Sequence, residues 1–147
     1  MGINVDLPDL SYPTAQFHVS FKKMAYEELF DRLSRSEFRS GFRLNSKDAH
    51  YLKSKGLARV MIHGREFVID RLAPAQPFKD GAQTPTRGHP VFVAQHATGT
   101  CCRPCLSKYH AIELNRELTD HEVKKVVLVI GEWLQRQTEL VPTPVCD

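Results

Sequence analysis

The sequence predicts a small α+β domain, predominantly helical, in which a short strand or hairpin and a metal-knuckle loop sit beside a helical core. Three observations predict it. Apolar residues recur at spacings of three and four over most of the chain, the period of helices that bury one face. Two short stretches break that rhythm: Phe17, Val19 and Phe21 alternate with His18 and Ser20, and Val91-Phe92-Val93-Ala94 is a continuous apolar run. Both patterns suit strands. Finally, the 23 residues from Gly88 to His110 hold three of the four cysteines and three of the seven histidines.

Length and composition bound the rest. At 147 residues the chain has the size of one ordinary domain and can bury a core without a metal or disulfides to hold it folded. Hydrophobic content of 41% with 25% charged residues is globular. No apolar run approaches the roughly 20 residues of a membrane span, and no membrane partner is expected. The N-terminal stretch lacks the basic start and apolar centre of a secretory signal, and Asp6 stands where a myristoylation motif needs Ser or Thr. The expected location is the cytoplasm, where thiols stay reduced and clustered cysteines serve as metal ligands or reactive groups rather than disulfides. A net charge of +3 permits nucleic acid as a partner without pointing to it.

Residues 1–23, rich in turn formers, read as an N-terminal arm ending in the short strand, 24–138 as one globular domain, and 139–147 as a flexible tail whose Cys146 is a free thiol. From Met24 to about Ser36, Leu29, Phe30 and Leu33 form the apolar side of an amphipathic helix. Phe38 and Phe42, placed around Gly41, are expected to anchor a turn between helices, with a basic-aromatic surface formed with Arg39 and Arg43 as the competing reading. A second helix starts at Asn45 or Ser46 and stops at Gly56. A third runs from Leu57 to Leu72, ended by Pro74 and Pro77; His63 within it reads as packed or exposed rather than functional. Pro74 to Arg87 is a loop around the Asp80-Gly81 turn, and Asp80, Gln83 and Arg87 are additional site candidates within it. The last helix carries a capping box, Thr119 with Glu122, and an apolar stripe of Val123, Val126, Val127, Ile130, Trp133 and Leu134.

The chemistry concentrates in Cys101-Cys102-Arg103-Pro104-Cys105. Two cysteines three positions apart can bring both sulfurs to one ion. Pro104 suits the first turn of a helix, which puts Cys102 just before that helix and Cys105 inside it, where the positive end of the helix and Arg103 favour thiolate. The expected ligands are Cys102 and Cys105 completed by His96 and His110, and the expected metal is zinc. His89 and Cys101 are further candidates. On a straight strand His89 and His96, seven apart, would face opposite ways, and adjacent cysteines rarely share an ion, so Cys101 would replace Cys102 or stand as a nearby reactive thiol. An iron–sulfur cluster would need four cysteines. The deaminase pattern, His-x-Glu followed by Pro-Cys-x-x-Cys, fails because Val91 stands where the Glu belongs and Cys101 where the Pro belongs.

The runs RLAPAQP (Arg71 to Pro77), DGAQTPTRGHPVF, QHATGTCCRPCL and LTDHE together resemble the bacterial domain-of-unknown-function family 4186, over about Glu28 to Gln137. The resemblance implies a small bacterial or phage-borne cytosolic protein and brings no activity with it. On the residues themselves, the first expectation is a structural-zinc domain that binds protein or nucleic acid. The alternatives are a zinc-dependent hydrolase or nuclease with an open metal position, and a thiol-redox protein using Cys101.

Overall fold

The structure, a computed structural model, describes the backbone of residues 13–140 and the side chains of 23–139. Among the described residues there are seven helices and no strand: α1 (Pro13–Ser34), α2 (Glu37–Ser40), α3 (Ser46–Lys55), α4 (Leu57–Arg71), α5 (Pro90–Thr98), α6 (Arg103–His110) and α7 (Asp120–Leu140). The α+β expectation, with its strand or hairpin, is therefore corrected to a helical fold. None of the helices is long and apolar enough to cross a membrane.

Both expected strands are helical for identifiable reasons. Residues 17–21 lie inside α1; Phe17 and Phe21 are four apart as well as alternating, so the same positions satisfy a helical period, and no second strand exists among the described residues to pair with. Residues 91–94 belong to α5, where a continuous apolar run belongs to a helix buried on all sides. Every α5 residue except His96 is buried. The local signals agree: Pro90 stands in the first turn, His89 caps the N-terminus by accepting from the Val91 amide at 3.0 Å, and Gly99 closes the C-terminus at φ 69°.

The chain divides into two compact units, Met1–Arg32 and Leu33–Asp147. The first contributes most of α1, in which Tyr26 and Phe30 bring their rings to 6.4 Å. The expected arm boundary at residue 23 falls within this helix. The tail from residue 141, with Cys146, lies outside the described residues.

In the second unit α5 packs against α4, α7, α2 and α3, and α4 packs against α7. The core is Val60 and Val68 of α4 with Leu72 just after it, Val91 and Ala94 of α5, Leu106 of α6, and Val126, Ile130 and Leu134 of α7. Gly64 faces Val91 of α5, where a methyl group would make an ordinary contact at 3.5 Å. Asn45 caps α3 by accepting from the Asp48 amide at 2.7 Å, and α3 ends at Gly56. Thr119 and Glu122 exchange side-chain bonds with each other's amides at 3.0 and 3.1 Å, the capping box that starts α7. Phe38 is 59% exposed, and its ring meets Phe42 edge-on at 5.0 Å across the turn at Gly41.

Gly99 positions the site. Its left-handed backbone turns the chain out of α5, and a Cβ there would fall 2.7 Å from Tyr109 Cδ2. Gly99→Ala is therefore expected to cost about 2–3 kcal/mol, combining the left-handed penalty with overpacking against the ring. An unchanged urea midpoint for this variant would show that the turn relaxes freely.

Candidate metal centre

The cysteines come from the four-residue connection between α5 and α6 and from the first turn of α6. That connection is held by buried polar bonds rather than by apolar contacts. The Thr100 amide donates to the Gln95 carbonyl at 2.8 Å, Gln95 Nε2 donates to the Thr100 carbonyl at 3.0 Å, and the Thr98 and Thr100 hydroxyls meet at 2.9 Å. The loop before α5 adds two clamps. Thr84 Oγ1 donates to the Cys101 carbonyl at 2.9 Å, and Asp80 Oδ1 accepts from the Arg103 amide at 3.0 Å. Cys102 occupies the N-cap position of α6 without a side-chain cap bond, so Asp80 supplies the acceptor that the first amide of α6 needs. Gln83 in turn donates to Asp80 at 2.9 Å. Two of the three loop candidates thus fix backbone, and Arg87 is exposed.

This framework brings the sulfurs of Cys101, Cys102 and Cys105 together, all within 4.8 Å of one another. Cys105 Sγ lies 3.2 Å from Cys102 Sγ and 3.7 Å from Cys101 Sγ. Adjacent cysteines do converge here, because the extended backbone at Cys102, φ −158° and ψ 167°, precedes the helix that swings Cys105 back beneath them. Cys101 and Cys102 are buried and Cys105 is half-buried, so the cluster opens toward solvent on the Cys105 side.

A cation completes the arrangement. Arg39 of α2 donates through Nη2 to Cys105 Sγ at 3.0 Å and through Nη1 to the His96 carbonyl at 2.6 Å, with Nη1 also 3.8 Å from Cys101 Sγ. Its guanidinium stacks 4.9 Å from the Tyr109 ring centroid. Charge follows this geometry. Hydrogen bonds from Cys101 and Cys102, with Arg39 beside them, hold the Cys105 thiol far below its ordinary range. Cys102 is pushed up by its bonds to Cys101 and Cys105 and by burial. For Cys101 the bond with Cys102 favours thiolate, but the bond to Cys105 and burial outweigh it, and the net shift is upward. Among the three sulfurs, thiolate is favoured at Cys105, against Arg39, and disfavoured at the other two.

The family described as Domain of unknown function (DUF4186) matches residues 27–135. The chain belongs to this family. No solved structure matches it. The DUF4186 match spans every residue of the sulfur cluster and Arg39.

Among the described residues no histidine joins the three sulfurs of this DUF4186 chain as a further member of the group. His96 Nε2 lies 3.0 and 3.1 Å from the Thr84 and Pro85 carbonyls, which only accept, so that nitrogen carries the proton. Its Nδ1 is a buried acceptor without a partner, and its ring stacks on Phe42. His110 Nε2 meets the Thr98 carbonyl at 2.8 Å and is likewise the protonated nitrogen. His89 spends the lone pair of Nδ1 on capping α5, and its ring packs among Tyr51, His63, Phe67 and Phe92. Burial, then the neighbouring His63, lower its pKa to about 4. The expectation that His89 and His96 point apart because they share a strand is replaced by a helical account. On an ideal helix residues seven apart nearly share a face, and the extended backbone of His89, φ −161° and ψ 140°, is what sends its ring elsewhere.

The three sulfurs could hold a metal ion. Zinc–sulfur bonds of about 2.3 Å in tetrahedral geometry put sulfurs about 3.8 Å apart, and the Cys101–Cys105 and Cys102–Cys105 separations are shorter than that, at 3.7 and 3.2 Å. The three sulfurs are therefore close enough together to reach one ion.

Proposed function

We propose that the chain is a zinc-binding domain whose three thiolates leave one coordination position for an oxygen or nitrogen donor. The observation that carries this reading is the triangle of sulfurs with a guanidinium on its edge. Three thiolates around a divalent ion carry one net negative charge, and Arg39 supplies the compensating positive charge that a half-buried site needs.

A purely structural ion fits less well. All three cysteines lie within five residues, so an ion closes only a short loop, and short local closure adds little to the stability of the whole unit. The core of Val60, Val68, Leu106, Ile130 and Leu134 is buried without it. The ion would organise a local knuckle and present its open position beside Cys105. Metal analysis of untagged protein by mass spectrometry, with X-ray absorption at the zinc edge, tests this. The expected result is about one zinc per chain with three sulfurs and one lighter donor. A four-sulfur shell, or protein that takes up no zinc when reconstituted, would contradict the reading.

The thiol states predict a pH dependence. Cys105 is ionised at neutral pH, whereas Cys101 and Cys102 are raised and protonated. All three must be thiolates to bind, so zinc uptake is expected to release about two protons and affinity to rise about a hundredfold per pH unit around neutrality. Chelator competition across pH measures this; a flat profile would show that the cluster is already deprotonated.

A second reading is favoured by one contact. The Cys105 thiolate, paired with Arg39 and 3.2 Å from Cys102 Sγ, has the arrangement of an attacking thiol with a resolving partner. On this reading the nucleophile is Cys105 rather than Cys101. Protein isolated without metal, with Cys105 alkylated selectively at neutral pH, would favour it.

A further inference from the structure

The surface beside the sulfur cluster has a second chemistry, independent of any metal. Phe38 is 59% exposed and meets the Phe42 ring edge-on at 5.0 Å. Phe42 stacks on His96 at 5.5 Å with only 15° between the planes. The Arg39 guanidinium lies between the Phe38 ring at 5.7 Å and the Tyr109 ring at 4.9 Å, and Lys108 Nζ reaches the same tyrosine at 5.3 Å. Rings and cations therefore alternate across α2, the end of α5 and the end of α6.

Basic residues accompany the rings. The thirteen residues from Arg35 to Lys47 carry four cations, Arg35, Arg39, Arg43 and Lys47, against one anion, Glu37. An exposed phenylalanine within a net-basic segment is a poor arrangement for solubility and a good one for a ligand that is both flat and anionic.

We propose that this face binds single-stranded nucleic acid, with unstacked bases on Phe38 and Phe42 and phosphates against Arg43 and its basic neighbours. Stacking is available only to bases already out of a duplex, and every base offers a ring face, so the surface selects single strands without reading their order. The modest size of the positive charge is consistent with that choice, since a duplex held through its backbone calls for a broader basic field. The proposal rests on ring contacts and charge and stands whether or not the cysteines bind zinc.

The test is fluorescence anisotropy of the full chain with labelled single-stranded and duplex oligonucleotides of mixed sequence, repeated at increasing salt. The wild type is expected to prefer the single strand. Phe38→Ala should weaken binding about tenfold, with Phe38→Trp restoring it, and Arg43→Glu should weaken binding and flatten its salt dependence. Neither side chain has a contact with the sulfurs, so circular dichroism and zinc content should stay at wild-type values in both variants. Absence of single-strand binding at low salt would overturn the proposal, as would equal affinity for duplex or indifference to Phe38→Ala. Self-association abolished by Phe38→Ala, without oligonucleotide binding, would assign the face to a protein contact and overturn it equally.

Discussion

Arg103→Ala is expected to lower the unfolding free energy by about 3–5 kcal/mol, through lost carbonyl partners and the cavity left behind. Arg103 is 1% exposed, yet it is an arginine in the middle of the cysteine motif. Its Nη1 donates to the Leu72 and Pro74 carbonyls at 3.3 and 2.9 Å, and its Nη2 to the Glu113 carbonyl at 2.7 Å. One guanidinium therefore joins the end of α4, the start of the loop that follows it, and the segment between α6 and α7. Burial lowers its pKa, and the nearby Asp80 carboxylate opposes that shift. Carbonyl dipoles and one carboxylate, rather than a paired acid, balance the charge. Arg103→Lys should recover only part of the loss, because an ammonium cannot span three carbonyls with the geometry of a planar fork. Urea unfolding of both variants measures this, and a loss below about 1 kcal/mol for the alanine would show that water replaces the fork.

That role for Arg103 was not legible in the sequence, where the residue reads as a cation placed to favour thiolate. The guanidinium that touches the sulfurs belongs to Arg39, 62 and 66 positions away from Cys101 and Cys105. Nothing local marks Arg39 except its place between two phenylalanines. Helices with capping signals were readable: Asn45 to Gly56 and the Thr119–Glu122 box define α3 and α7 almost as expected. The convergence of adjacent cysteines was not, because it depends on one extended residue at Cys102 followed by a helix. The α5 error has the same character. A run of buried residues fits a strand or a fully enclosed helix equally well, and the distinction lay in Pro90 and Gly99 at its ends. Composition marked the cluster; tertiary packing decides which side chains face it.

Cysteine substitution is expected to have the largest effect on metal binding. Cys105→Ser and Cys102→Ser should each weaken zinc binding on the order of a thousandfold, since a serine hydroxyl stays protonated where the site needs an anion. Cys105 is the more informative of the two, because it carries the one thiolate present before an ion arrives and the contact to Arg39. Its loss should therefore also remove the shorter of the two contacts that Arg39 makes to the sulfurs. His63→Ala should leave zinc content unchanged, as His63 packs against His89 and away from the sulfur group. Cys146→Ser should do the same if the sulfur count is three. Cys101→Ser separates two ligand sets directly. If Cys101 is the third sulfur, this variant loses zinc as Cys102→Ser does, and X-ray absorption of any residual complex shows two sulfurs. If it keeps stoichiometric zinc with two sulfurs and two nitrogens, the ion is held by Cys102, Cys105 and histidines. His96, whose Nδ1 is an unpaired acceptor, would then be the residue to replace next.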